Sequence, residues 1–398
     1  MAVIDHLSLY FVQAPLPAPF SPAWVPGPPR RTLQFYLVRL RTDDGVEGWS
    51  AFPAVGRERV GMGDWIANLF LGIDPTDNDL VRERIGVMAV QGVHNGWLEP
   101  ACWDITGRMA GRPVCELLGG RREPVTLYAS SGEVMEPAAR IDEAWQRHEE
   151  GFRTLKIRVH DFDEAVDIAQ VQAVARAMEG RMRIAVDCNQ AFRLTHLAPA
   201  PRWDLARARR FADACAEVGV AWIEEPLHMS RFEDMAALTA YSTRVPIAGG
   251  ELHTAGLAEL RHMVARGCYH IFQPDAVWTG GISDTVEVAR LCREHGRGFT
   301  PHTWSNGFGF GVNLQVLLAS GFANVHPFEY PLSPPGWTAE VRDVLLAAPW
   351  RHERGVLHPP DTPGLGMEVD EAALARHGRC FFSADRTSRH WVPEVLRD

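Results

Sequence analysis

The sequence predicts an α/β chain whose central part is a parallel (β/α) barrel. Between residues 125 and 330, short apolar runs alternate with longer amphipathic stretches. Strand and helix in turn imply a parallel sheet. About eight such runs recur at intervals of roughly 25 to 35 residues, the βα repeat of a closed barrel. The rival, a doubly wound sheet, lacks its usual mark, because no GxGxxG follows the first run.

The expected strands are Val125–Ala129, Thr154–Val159, Arg183–Val186, Ala221–Ile223, Val245–Ala248, His270–Phe272, Gly298–Thr300 and Val325–Phe328. Helical periodicity marks Phe162–Met178, Leu205–Val218, Leu257–Arg266 and Ser283–Glu294 between them. Ahead of the barrel, Leu33–Arg41 and Val46–Trp49 flank the turn Thr42-Asp-Asp-Gly45, a hairpin signal. A Pro-rich stretch from Pro15 to Pro29 precedes it and reads as a loop, either a functional flap or disordered. Residues 60–118 read as helical, and Gly119 and Gly120 supply a C-cap.

A chain of 398 residues fits two domains, or one barrel with additions. The formal net charge of −10 and the lack of a Lys/Arg-rich run exclude nucleic acid as the expected partner. The N-terminus has no basic and apolar signal regions, and no apolar stretch is long enough to span a membrane. The richest apolar run, Phe308–Ala323, is broken by Asn313 and Gln315. Seven scattered cysteines without a CxxC read as reduced thiols in a cytoplasmic protein.

Lys156 is the only lysine in the chain. A lysine differs from an arginine in being a compact charge whose pKa can be lowered. The exception therefore points to a position where guanidinium does not serve.

Catalytic groups of a barrel sit at the C-terminal ends of its strands. Here the expected strands end in Lys156-Ile-Arg158, Asp187-Cys-Asn189, Glu224-Glu225, Gly-Gly-Glu251, Gln-Pro-Asp275, Pro-His302 and Glu329. One acid after a strand is ordinarily a helix cap. Three acids after three successive strands, Asp187, Glu224 and Glu251, repel one another unless a cation joins them. Oxygen-only ligands favour Mg²⁺ over softer-site metals. Asn189 and Glu225 would stand beside that ion as hydrogen-bonding neighbours.

At these residues the chain resembles the enolase superfamily, and within it the mandelate racemase-like enzymes. The resemblance rests on WLEPACWDITGRMAGRPVCELLGG ending at Gly120, Asp187-Cys-Asn-Gln-Ala, Trp222-Ile-Glu-Glu-Pro226, Pro274-Asp-Ala-Val-Trp-Thr-Gly-Gly281 and Pro363-Gly-Leu-Gly-Met-Glu368. It implies an α+β capping domain built from residues 1–124 and a returning segment, 351–398, above a modified TIM barrel over 125–350. It implies Mg²⁺ on Asp187, Glu224 and Glu251, and a base dyad of His302 and Asp275 with Glu329 opposite. It also suggests a homo-oligomer.

The chemistry that follows is abstraction of a proton α to a carboxylate. Mg²⁺ and Lys156 stabilise the enolate, and His302 is the general base, with Asp275 fixing its tautomer. Arg158 stands where the commonest pattern of that family has a second lysine acting as base. Guanidinium is a poor base. Racemisation needs a base on each face, so Arg158 shifts the expectation to one-base β-elimination, with Arg158 orienting charge or bridging Asp161 or Asp187. The expected activity is dehydration of a sugar acid, aldonate or aldarate. Epimerisation or lactone cycloisomerisation through the same enolate is the alternative, and a non-catalytic homologue the distant one. Trp24, Arg57 and Trp304 are expected at the distal end of the substrate, with Ala51–Arg57 part of its lid. His94 and His253 are expected to pack or support.

Overall fold

The structure is a computed structural model and describes residues 2–90, 92 and 94–392. Met1 and residues 393–398, the extremities of the expected capping segments, lie outside the described residues.

Strands β1 (Ile4–Phe20), β2 (Arg30–Thr42) and β3 (Glu47–Pro53) form an antiparallel meander. The turn falls where Asp-Asp-Gly predicts it. Gly45 takes φ +89°, and Thr42 Oγ1 accepts from Val46 N at 3.0 Å. Gly48 is required for a different reason. A Cβ there would meet the carbonyl of Ala101 at 2.1 Å, so only glycine lets the helix Glu99–Ala110 lie this close to the sheet.

The Pro-rich stretch is a correction to the sequence reading. Pro15 to Phe20 continue β1, and the loop is confined to residues 21–29. Proline fits extended backbone, and here it loses little, because the pairing with β2 passes from Pro15–Thr32 to Phe20–Arg30 without a ladder between.

The barrel strands are β4 (Val125–Ser130), β5 (Thr154–Arg158), β6 (Arg183–Asp187), β7 (Ile223–Glu224), β8 (Ile247–Gly249), β9 (Ile271–Phe272), β10 (Gly298–Phe299) and β11 (Phe328–Pro331). All pair in parallel, in the order β10-β9-β8-β7-β6-β5-β4-β11. Only β11 departs clearly from its expected range, because Val325 belongs to an exposed turn after the helix Gly307–Ser320. No ladder joins β10 to β11 among the described residues. Side chains cross that seam instead. Thr300 Oγ1 donates to Pro327 O at 3.3 Å, and Thr303 bonds Glu329 through both its N and its Oγ1.

The barrel helices Glu164–Ala177, Leu205–Glu217, Leu257–Arg266 and Ile282–Glu294 lie within two residues of expectation. Asp163 and Asp204 start the first two by accepting from Ala165 N and Arg207 N. Asn313 and Gln315 interrupt the apolar run of Gly307–Ser320 yet are buried, because each is hydrogen-bonded: Asn313 to Asp275, Gln315 to Cys115 N and Leu365 O.

After the barrel, β12 (Val356–Leu357) pairs antiparallel with β4. Then β13 (Gly378–Asp385) returns to β1, and β14 (Arg389–Trp391) pairs with β13. The two ends of the chain thus share one sheet, ordered β14-β13-β1-β2-β3, which is the cap. All seven cysteines are free thiols. Among the described residues, no helix is long and apolar enough to cross a membrane.

Candidate active site

The barrel lumen alternates large and small side chains. Tyr128, Ala185, Ala221, Trp222, Ala248 and Ile271 form a buried cluster, with the Tyr128 and Trp222 rings edge to face at 5.0 Å. This apolar layer is the floor of the site.

Strand register gathers the charges above it. Arg158, Asp187 and Glu224 stand side by side on β5, β6 and β7. Lys156 lies two residues before Arg158 and so faces the same side. Glu251 follows β8 across Gly249 and Gly250, which take φ +156° and +120°. Asp275, His302 and Glu329 arrive from β9, β10 and β11.

Lys156 is fully buried. Its Nζ lies 2.6 Å from Glu224 Oε1, 2.7 Å from Glu329 Oε1 and 3.6 Å from Asp187 Oδ2, and 5.7 Å from the centre of the Tyr128 ring. Burial lowers its pKa, but Glu224 and Glu329 outweigh burial and hold it above the ordinary lysine value. The sequence reading of a lysine suited to a lowered pKa is corrected here: the carboxylates around the lone lysine favour its charged form. What distinguishes it from arginine is size, because one ammonium reaches three carboxylates in a site without solvent.

Arg158 bonds Asp187, not Asp161. It also donates to Ser131 O at 2.7 Å and Asn189 Oδ1 at 3.3 Å. Its guanidinium is flanked by Trp24 and Trp304, at 5.0 and 5.6 Å from the ring centres. The other Asp187 oxygen accepts from Asn189 N at 2.7 Å. Glu224 Oε2 accepts from Trp222 Nε1 and Gln273 Nε2, at 3.2 and 3.0 Å.

His302 Nδ1 lies 2.9 Å from Asp275 Oδ2, and its Nε2 lies 3.0 Å from Glu251 Oε2. Asp275 is itself held by Asn313 Nδ2 at 2.7 Å and Val277 N at 3.0 Å. Burial lowers the His302 pKa, but Glu251, Glu329 and Asp275 together raise it to about 9. Burial and the neighbouring acids push Glu251 up to about 7, against the pull of His302. Glu329 takes the opposite course. Burial raises it, yet Lys156, His302 and Arg158 hold it below the usual carboxylate range.

Asn189 and Glu225 both adopt left-handed backbone, at φ 45° and 46°. For a residue as long as glutamate this is strained, and such strain clusters at functional sites. Burial and the charges of Glu251, Asp187 and Glu224 drive the Glu225 pKa well above normal.

A cavity of about 140 Å³ opens onto this network, lined at the barrel mouth by His302, Glu251, Glu225, Arg158 and Asn189. One wall is aromatic. Phe20 stacks on Trp304 at 5.8 Å, and Trp24 and Trp337 pack against Trp304 at 4.9 and 5.1 Å. Trp24 and Trp304, expected at the distal end of the substrate, line this cavity, and Phe20 and Trp337 join them.

Arg57 does not. It is exposed on the loop after β3 and does not line the cavity. Neighbouring Arg59 turns away, over the Phe52 ring, to donate to Asn95 Oδ1. The cap arginine that does line the cavity is Arg30. Its signal was the alternation Arg30, Thr32, Gln34 along one strand face, obscured by reading everything up to Pro29 as loop. His253 is buried beside Glu259, and His94 lines a separate cavity.

The donor set fits a hard divalent cation. Six carboxylates (Asp187, Glu224, Glu225, Glu251, Asp275 and Glu329) face three basic side chains, Lys156, Arg158 and His302. The raised pKa values of Glu224, Glu225 and Glu251 express that surplus of negative charge. As arranged, no three acid, histidine or cysteine side chains among the described residues enclose a common ion position. Asp187, Glu224 and Glu251 are instead each turned to a different basic side chain: Arg158, Lys156 and His302.

Comparison with known proteins gives the family and agrees with the fold. Residues 11–119 match the family described as mandelate racemase / muconate lactonizing enzyme, N-terminal domain. Residues 139–373 match the enolase C-terminal domain-like family. The chain is 28% identical over 357 residues to D-galactarolactone cycloisomerase of Agrobacterium fabrum, across 85% of this chain and 89% of that protein. It is 29% identical over 389 residues to L-talarate/galactarate dehydratase of Salmonella typhimurium, across 93% and 90%. A solved structure of the latter, liganded with Mg and L-lyxarohydroxamate, superposes with a TM-score of 0.80 at 25% identity, covering 98% of this chain and 95% of that one.

Proposed function

From the premise that this chain belongs to the mandelate racemase / muconate lactonizing enzyme family, with the enolase-type barrel, we propose that it is a Mg²⁺-dependent sugar acid dehydratase. The observation that carries this is the asymmetry of the site. His302 is backed by Asp275, whereas the position of a second base holds Arg158, bound to Asp187.

Asp187, Glu224 and Glu251 would hold the metal, with Asn189 and Glu225 beside them. The ion supplies Lewis-acid charge to the carboxylate of the substrate. With Nδ1 engaged by Asp275, His302 presents Nε2 as the atom that takes the C2 proton. Lys156 and Arg158 supply fixed positive charge beneath and beside the developing enolate. Protonated by His302, which carries the C2 proton, the 3-hydroxyl then leaves as water, and the enol left behind takes up a proton at C3 to give a 2-keto-3-deoxy acid. The Trp24–Trp304 wall covers the distal end and excludes water. We place the enzyme in the cytoplasm as a homo-oligomer acting on a small carboxylate.

Cycloisomerisation uses the same enolate and the same single base, and the similarity to the Agrobacterium fabrum enzyme supports it as the second reading. A panel of aldonates and aldarates, with and without their lactones, assayed for 2-keto acid and for C2 exchange in deuterated water, tests both. Dehydration gives a 2-keto acid, and cycloisomerisation of a lactone gives an isomer without loss of water. Exchange with neither product, or neither 2-keto acid nor exchange from any acid of the panel, sinks the dehydratase reading.

A further inference from the structure

Strand β2 turns a polar row toward the cavity. Arg30, Thr32 and Gln34 follow one another at i, i+2 and i+4, so one strand face carries all three. All three line the cavity that holds His302. None of the three side chains has a hydrogen-bond partner among the described residues, and Arg30 has no ion pair or ring contact either. Arg30 is half-buried, and burial alone lowers its pKa, with no carboxylate near enough to counter it.

That sets it apart from the other arginine on this cavity. Acidic residues outnumber basic ones, 50 to 40, and the other arginine on the cavity, Arg158, is bound to Asp187. A partly desolvated guanidinium without an acceptor is unfavourable unless a ligand supplies one. The aromatic wall of Phe20, Trp24, Trp304 and Trp337 offers no carboxylate. The acids on the cavity, Glu225 and Glu251, belong to the barrel mouth. The cavity therefore has a reaction end on the barrel and a separate, uncompensated cation on the cap.

We propose that Arg30 binds a second carboxylate at the distal end of the substrate, with Thr32 and Gln34 hydrogen-bonding the hydroxyls beside it, so that the substrate is a polyhydroxy dicarboxylic acid. A monocarboxylic sugar acid leaves Arg30 unpaired. This rests on the reading of the barrel mouth as the end where the first carboxylate reacts.

The test is a binding measurement that does not depend on turnover. In a His302→Asn background with Mg²⁺ present, calorimetry compares galactarate with galactonate, and glucarate with gluconate. The dicarboxylate of at least one pair binds tenfold or more tightly than its monocarboxylate. Adding Arg30→Gln removes that preference and leaves the monocarboxylate affinity within about threefold, as expected for loss of one charge-assisted contact. Equal affinities within both pairs, a preference that survives Arg30→Gln, or an equal loss for both acids overturns the proposal. Failure of the dehydratase reading is a separate outcome. Native enzyme that binds a dicarboxylate through Arg30 but gives neither 2-keto acid nor C2 exchange refutes the reaction and upholds the subsite.

Discussion

His302 Nδ1 and Asp275 Oδ2 are 2.9 Å apart, and the second oxygen of Asp275 is held by Asn313 and Val277 N. Asp275 therefore has one oxygen for orientation and one for the histidine. Replacing it with Asn offers His302 an amide in place of a carboxylate and upsets the tautomer in which Nδ1 carries the proton and Nε2 can accept one. Asp275→Asn should lower kcat by roughly 10²- to 10⁴-fold with little change in melting temperature. Asn313→Ala, one bond further away, should cost about 10- to 100-fold. A fully active Asp275→Asn enzyme would remove the dyad from the mechanism.

His302→Asn tests the base itself. The variant should lose C2-proton exchange in deuterated water while binding Mg²⁺ as the parent does, because the three acids assigned to the ion are untouched. Exchange at the parental rate would show that another group takes the proton.

Lys156 should support the native state as well as the chemistry. Its ammonium joins Glu224 and Glu329 in a site without solvent. Lys156→Met strands buried carboxylates and should destabilise the fold by about 3–5 kcal/mol in metal-free protein. Added Mg²⁺ should restore part of that loss. Lys156→Arg keeps the charge but not the size, and should lose most activity. Chemical denaturation with and without Mg²⁺ reads the first effect. A change below about 0.5 kcal/mol would mean that the three-carboxylate contact does not support the fold.

The site was legible where one strand carries the signal. Lys156 and Arg158 share a face by their spacing alone, and each barrel strand announces its end with a polar residue. The helix starts were legible because Asp163 and Asp204 cap them within a few residues. What escaped depends on distant partners. The direction of the Lys156 pKa is set partly by Glu329, at the far end of the barrel sequence. Asn313 reads as a polar break in an apolar helix until Asp275 is seen beside it. Phe20 and Trp337 meet Trp304 from opposite ends of the chain. Arg30 was hidden by proline chemistry, which marks loops and extended edges alike.

Glu99 gives a prediction away from the metal site. It opens the helix Glu99–Ala110, is fully buried, and accepts from Ser283 N at 3.1 Å through Oε2, while Oε1 has no partner. Burial dominates and raises its pKa to about 7; Asp284 adds to this, whereas Ser283 and Arg82 oppose it. The folded state thus holds a proton that the unfolded chain releases near the ordinary value of 4.5. A carboxyl raised on folding stabilises while protonated, so its contribution is lost as pH rises from about 4.5 through about 7. At roughly 1.4 kcal/mol per pH unit, the penalty reaches about 3 kcal/mol by pH 8. Glu99→Gln cannot ionise and escapes it. Denaturation at pH 5 should find the two proteins within about 1 kcal/mol, and at pH 8 the variant more stable by up to about 3 kcal/mol. A stability difference that stays constant between the two pH values would show that Glu99 is already ionised in the native state at pH 5.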